Sequence, residues 1–342
     1  MFTEIFVEGN KVVKGVFDKR FENDEYVVCF NTKNGFEVLQ GKNGHDPFQT
    51  ELPLLVDVGI MGHCLNSCSF CYQGNKYEPH MTLENFKIII DQVKHHTNQV
   101  ALGGRGDPNL HPNFKEILEY ARMNNVVPNY TTSGRNLTDE QIEISKLCGA
   151  VAVSDYGRDF TFNALNRLMK AGLKTNIHLI FNRSSFSKCL DIVNGTDVWA
   201  GKVDLESLNA VVFLLFKPQG SGKDKVELIP TTGQLKSFSE VVFTPKAKFK
   251  IGMDSCFLNH VLQYAKPNEI QKMAVDTCES SRMSVYISPS MQLIPCSFAD
   301  HDKSGVKILK HHDIHAIWNT AFQFNEFRNR LQNNPNCCPI GF

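Results

Sequence analysis

The sequence predicts an α/β protein whose main body is a partial, open (βα)6 TIM-like barrel, with a short N-terminal β region and a small C-terminal β-hairpin and helix domain. Two textures carry the prediction. From Leu54 onward, short apolar runs alternate with longer stretches of helical period, the pattern of βα units that build a parallel sheet. Polar and glycine residues also recur at the same end of every apolar run, as they do where barrel loops converge on a ligand. The length of 342 residues is enough for roughly three quarters of the unfolded surface to be buried, so no disulfide staple is needed.

Before residue 50, weak alternation (Glu4-Ile5-Phe6-Val7, Lys11-Val12-Val13, Glu25-Tyr26-Val27-Val28) between Gly and Asn turns predicts a few short strands. Residues 51–248 then hold six βα units, with strands near 54–60, 99–104, 127–133, 149–155, 174–181 and 210–216. Helices follow at recognisable caps: Thr82 precedes Leu83 to Ile90, and Thr138 with Gln141 has the form of a capping box. After Lys248 the rhythm fades, and residues 249–342 form a loop-rich second segment.

Composition narrows the function. Apolar residues make up 42% and charged residues 21%, and Lys+Arg balances Asp+Glu at 36 each. A zero balance offers no general field for phosphate backbones, so nucleic acid is not expected as a partner. No apolar run approaches the roughly 18 residues of a membrane span. The N-terminus carries an acid where a secretory signal has Lys or Arg, so a cytoplasmic protein is expected.

Eleven cysteines are the abnormal number, and an odd count of this size points to metal or catalysis rather than to disulfides. Cys64, Cys68 and Cys71 lie at intervals of four and three in the loop after the first barrel strand. Three thiolates without a fourth suit a cubane [4Fe–4S] cluster with one iron left to bind something else. A zinc site using His63 is the alternative, disfavoured because adjacent side chains converge poorly on one ion. Cys256, Cys278, Cys296, Cys337 and Cys338 form the second group; Cys29, Cys148 and Cys189 lie in apolar patterns and read as ordinary buried cysteines.

At Cys64, Cys68 and Cys71, with Phe70 before the last thiol, the chain resembles the radical S-adenosylmethionine (radical SAM) superfamily over about residues 52–220. The resemblance implies that the free iron chelates the amino and carboxylate groups of S-adenosylmethionine. Reductive cleavage then gives a 5′-deoxyadenosyl radical that abstracts a hydrogen atom from a substrate. It also implies cofactor contacts from Phe70 and Tyr72 beside the thiols, from Gly103, Gly104, Arg105 and Asp107 in place of the family's Gly-Gly-Glu motif, and from Ser133 and Ser154. His178 or Asn182 would approach the adenosyl group. Arg105 stands where the family has an acid, which leaves Asp107 or backbone oxygens to serve.

Cys278 and Cys296 flank a stretch ending in Pro295-Cys296, and Ile317-Trp318-Asn319 follows. Here the chain resembles the SPASM and twitch extensions of radical SAM enzymes, which implies one auxiliary [4Fe–4S] cluster in residues 249–342. Five thiols for four places leave one spare. It is either a tail cysteine or Cys256, and a spare Cys256 could donate a hydrogen atom to a substrate radical. The resemblance further implies a ribosomally made precursor peptide as substrate, crosslinked or epimerised, and an electron donor such as flavodoxin or ferredoxin. Oxidation or rearrangement of a small molecule is the alternative, and a non-catalytic zinc-binding module the remote one. The N-terminal strands offer either an edge for a leader peptide or a plain cap on the barrel.

Overall fold

In a computed structural model, residues 1–8, 11–66, 68–74, 76–268, 278–309, 313–335 and 337–341 are described. The centre is a ten-stranded open sheet. Six strands fall where the sequence predicts them: β6 (Leu55–Met61), β7 (Gln99–Gly104), β8 (Val127–Thr132), β9 (Val151–Ser154), β10 (Thr175–Phe181) and β11 (Ala210–Leu215). All are parallel and adjacent in order, as a partial barrel requires. Their outward residues are apolar and buried, and they pack under helices such as α1 (Leu83–Val93), which presents Phe86, Ile89, Ile90 and Val93 on one stripe. The expected caps are present: the Thr82 hydroxyl accepts the Asn85 N–H, and Thr138 and Gln141 close a reciprocal capping box.

The sheet does not stop at residue 248. A seventh parallel strand, β12 (Lys250–Met253), pairs with β11, and an eighth, β13 (Ser284–Ile287), pairs with the far side of β6. The antiparallel strands β14 (Gln292–Ile294) and β15 (Val306–Lys307) complete it. The C-terminal hairpin therefore grows out of the barrel sheet. Both added parallel strands have only four residues, and β12 has none that is fully buried; β13 lies in the expected C-terminal hairpin, but nothing local in its sequence tells that it pairs with β6.

The N-terminal region holds a hairpin of β1 (Phe2–Glu8) and β2 (Lys11–Phe17), and an antiparallel sheet of β3 (Lys19–Glu22), β4 (Tyr26–Phe30) and β5 (Glu37–Gly41). That sheet caps the N-terminal ends of the barrel strands. Lys19 Nζ donates to the carbonyls of Lys94 and Thr97 at 3.1 and 2.5 Å, just before β7, and Lys174 Nζ donates to the Asn34 carbonyl at 2.6 Å, just before β10. The cap is thus on the side of the barrel away from the cysteine loop, which follows the C-terminal end of β6.

The C-terminal helices 313–320 and 322–333 anchor the second segment. Trp318 is fully buried, its indole N–H donates to the Thr50 carbonyl at 2.9 Å, and the Arg328 guanidinium lies 4.7 Å over its ring. Trp318→Ala is expected to lower unfolding free energy by about 3–5 kcal/mol, the usual cost of removing a buried aromatic. Denaturant titration followed by circular dichroism measures this; a loss below about 1 kcal/mol would contradict the packing described.

Candidate active site

The C-terminal ends of the parallel strands converge on the loop carrying Cys64, Cys68 and Cys71. The Cys71 N–H donates to the Cys68 carbonyl at 3.2 Å, and the Asn66 N–H donates to Cys64 Sγ at 3.2 Å. Cys68 Sγ lies 3.5 Å from the Tyr156 hydroxyl, and the Tyr156 ring stacks on Phe70 at 6.2 Å. The other side of the loop rests on the segment after β11, where the Ser221 N–H donates to the Cys71 carbonyl at 2.8 Å. Gly220 has φ +54, and a Cβ there would collide with the Cys71 and Tyr72 carbonyls, so this approach needs glycine.

Beside the end of β6, from which the cysteine loop departs, β7 ends in Gly103 and Gly104. A Cβ on Gly103 would meet nothing within 4 Å, which leaves an open cradle against bare backbone, whereas one on Gly104, at φ +104, would strike the Met61 carbonyl. Beside them is a cleft of about 290 Å³ lined in part by Met61, His63, Cys64, Asp107 and Arg135. Asp107 is buried. Its two oxygens accept from the Ser133 N–H at 2.7 Å and the Ser133 hydroxyl at 2.5 Å, and burial nevertheless keeps its pKa above the usual carboxylate value. Ser133 is therefore engaged with Asp107, and the two form one polar wall.

Three of the expected contact residues have polar atoms already engaged within the protein. The Arg105 guanidinium is paired with Glu78 and donates through Nε to the Gln73 carbonyl at 3.3 Å, so it clamps the cysteine loop instead of facing the cradle. Asn182 spends its carboxamide oxygen on the N–H groups of Ser184 and Ser185, both at 2.8 Å, closing the turn after β10. His178 faces the lumen beside Ser154, its strand partner, and its Nδ1 is 3.3 Å from the Thr131 hydroxyl. Burial pulls its pKa down to about 4, so the ring is neutral at ordinary pH.

The second cysteine group also gathers. Cys278 and Cys296 are buried in a small core with Tyr286, Ile294, Ala299, Phe327 and Leu331. Cys256, in α7 (Ser255–Val261), lies within electrostatic reach of both, and Cys338 within reach of Cys278 and Cys296. Cys337 is exposed. Burial pushes the Cys256 and Cys278 thiols up and that of Cys296 up to about 12, so binding metal there must release protons. Among the described residues no three His, Cys, Asp or Glu side chains are close enough to share a single ion. Cys29 and Cys189 are buried in the cores, and Cys148 packs against the main one.

Tyr72 links the groups: burial raises its hydroxyl pKa to about 12, Cys71 and Cys296 both contribute, and its ring packs on Phe298 at 4.5 Å. Asp57, a lone acid in the apolar strand β6, is the residue that sequence reasoning missed. Facing the lumen between strand partners Ala101 and Tyr286, it is held near pKa 7 by burial. Its signal was available as a single carboxylate between Val56 and Val58.

Residues 58–191 match the model of the Radical SAM superfamily. Over 287 residues the chain is 24% identical to mycofactocin maturase MftC of Mycobacterium tuberculosis (strain CDC 1551 / Oshkosh), covering 78% of this chain and 68% of the relative. Among solved structures, Streptococcus suis SuiB bound to S-adenosylmethionine superposes with a TM-score of 0.65 at 15% identity, covering 82% of this chain and 68% of SuiB. SuiB bound to its precursor peptide SuiA gives 0.62 at 15% identity, covering 82% and 67%. At such identities the structures establish the fold.

Asp57 has a stability consequence. Between pH 3.8, the ordinary value, and about 7, the native carboxyl holds a proton that the unfolded chain releases, so its contribution to stability falls as pH rises through that window. Asp57→Asn is expected to stabilise the protein at pH 8 by on the order of 2–4 kcal/mol and to leave it unchanged at pH 4, as read by denaturant midpoints. Equal effects at both pH values would refute the assignment.

Proposed function

We propose, from the chain's membership of the radical SAM superfamily, that this enzyme modifies a ribosomally made precursor peptide and carries a second, auxiliary cluster. The observation that supports the reading most is the three-thiol loop that follows β6, paired with the neighbouring strand β7 that ends in the open backbone at Gly103, with a cleft between Cys64 and Asp107. The donor set fits a [4Fe–4S] cluster with one iron free, and the cradle admits a ligand against backbone without a side chain in the way. Bound there, the cluster and S-adenosylmethionine supply a primary carbon radical for hydrogen abstraction.

The protein's own residues then have distinct tasks. Cys64, Cys68 and Cys71 hold the cluster, and the Arg105–Glu78 pair keeps their loop in place. Gly103 and Gly104 line the ligand, Asp107 and Ser133 present a polar wall to it, and Phe70 and Tyr156 screen the thiols from water. Ser154 and His178 face the lumen below. Cys256, Cys278, Cys296 and Cys338 are the ligands of the auxiliary cluster within residues 249–342, and Cys337 is the spare thiol. With Cys256 used as a ligand and the spare thiol exposed, neither is placed as the lumen hydrogen donor that epimerisation needs, which favours oxidative crosslinking.

The peptide substrate rests on the relatives: MftC is described as a maturase, and SuiB is crystallised with a precursor peptide. A flavodoxin or ferredoxin is proposed as the source of electrons. The N-terminal cap lies at the far end of the barrel, so a leader pairing with its edge would span from there to the mouth.

Three measurements test this. After anaerobic reconstitution, the wild type is expected to hold about eight irons and the Cys64→Ala, Cys68→Ala, Cys71→Ala variant about four, with 5′-deoxyadenosine formation lost. A wild type with about four irons, all lost in the variant, would reject the auxiliary cluster; a wild type without iron would reject the function. In the second measurement, Cys337→Ala keeps about eight irons and Cys338→Ala falls toward about four. Incubation with candidate precursor peptides should give a product lighter by a pair of hydrogens, whereas an unchanged mass with an inverted residue would return the reading to epimerisation.

A further inference from the structure

Between the two cysteine groups lies a buried cation. Lys217, just beyond β11, is 5% exposed, and its Nζ donates to Asp254 Oδ2 at 2.5 Å and to the Leu215 carbonyl at 3.2 Å. The same Nζ lies 4.3 Å from the centroid of Phe298, whose ring packs against Tyr72, next to Cys71. Asp254 caps α7 by accepting the Phe257 N–H at 2.8 Å, and its helix carries Cys256. Lys217 thus stands on the barrel side of the auxiliary thiols. Asp254 pairs with the ammonium in a salt bridge and the Phe298 ring face adds a cation–π contact, so the buried charge is compensated.

A charge in that position does more than pack. Burying an ammonium is costly unless something negative repays it, and one carboxylate would suffice for a purely structural pair. Here the ammonium's carboxylate partner Asp254 is two residues from Cys256, and Phe298, under the ammonium, is two residues from Cys296, so at 5% exposure its field reaches that group poorly screened. On the other side of that group, Arg282 donates to the Phe48 and Cys278 carbonyls at 2.8 and 3.3 Å, beside Cys278. His260 and His178 also lie within electrostatic reach of Asp254, and burial lowers the pKa of both.

We propose that Lys217 is a positioning residue that sets the reduction potential of the auxiliary cluster, its fixed positive charge favouring the reduced form, with Asp254 as the opposing charge that trims the effect. The inference rests on the auxiliary-cluster reading above. Each electron entering the cluster adds one negative charge, which the nearby ammonium stabilises and the nearby carboxylate destabilises. The two residues therefore predict shifts of opposite sign, which a merely structural ion pair does not.

The test uses full-length protein with Cys64, Cys68 and Cys71 changed to Ala, reconstituted so that only the auxiliary site loads. Potentiometric titration is followed by electron paramagnetic resonance of the reduced cluster. Lys217→Met is expected to lower the reduced-to-oxidised ratio at a fixed potential about tenfold, a midpoint lower by about 59 mV for a one-electron couple. Asp254→Asn, which keeps the helix cap, should raise the midpoint, and Lys217→Arg should restore it toward the parent value. Unchanged midpoints, or shifts of the same sign in Lys217→Met and Asp254→Asn, overturn the proposal. If Lys217→Met does not load iron, Asp254→Asn alone decides, an unchanged midpoint being the refutation. A parent protein that takes up no iron defeats the auxiliary-cluster reading itself, a result distinct from a loaded cluster whose potential ignores both charges.

Discussion

The double pairing of β6 is the constraint on which the rest of the site depends. Its backbone is bonded on one side to β7 and on the other to β13, with parallel register on both. The first pairing sets the cysteine loop against the glycine cradle at the end of β7. The second ties the C-terminal segment to the same strand, so that residues more than two hundred positions away in sequence are delivered beside the loop. A slip of one residue in either ladder would turn Asp57 and Gly59 out of the lumen and Val58 into it. The buried apolar residues on the outward face, Val56, Val58 and Ile60, hold the register against that slip.

The eight parallel strands do not close. β12 and β13 are the two ends of the parallel run, and they are not neighbours in the sheet. Cys256 comes from just beyond β12, and Cys278 and Cys296 flank the hairpin that begins with β13. The thiols of the second group thus come from both lips of the open seam, where a closed barrel would have a hydrogen-bonded ladder. Lys217 and Asp254 sit on the β12 lip, and Phe298 and Tyr72 fill the space between that lip and the first cysteine loop. A seam of this kind gives the lumen a lateral wall made of side chains, whose charge can vary without disturbing the sheet.

Legibility in the sequence follows from how local each feature is. The six central strands could be read because both of their faces are largely covered, which leaves apolar runs, and the helix caps because their partners lie three residues apart. β12 could not be read, being short and half-exposed, and β13, although expected within the C-terminal hairpin, could not be assigned to the barrel sheet, because its pairing with β6 is entirely long-range. The same holds for the site. The thiols at 64, 68 and 71 announce themselves by spacing, but the choice among Cys256, Cys337 and Cys338 depends on where a helix and a tail come to rest. Arg105 shows the limit of motif matching: its place in the Gly-Gly-Arg-Gly-Asp run suggests a contact with the cofactor, yet its charge is spent on Glu78, which lies 27 residues earlier in the chain. Lys217 and Asp254, 37 residues apart, carry no local signal at all.

The composition of the second core explains why such a segment would use thiols in this way. Its fully buried members are few, and two of the seven are Cys278 and Cys296. A core this small gains little from hydrophobic burial, roughly 1.5–3 kcal/mol for each large side chain, against the ordering entropy of loops on either side. Metal–thiolate bonds add folding free energy that apolar packing on this scale does not supply. A cluster held there, as proposed above, would add a redox centre where a larger hydrophobic plug would have closed the seam and insulated the lumen. On that proposal, the residues that fill the gap between β12 and β13 carry charge and electrons as well as hold the edges together.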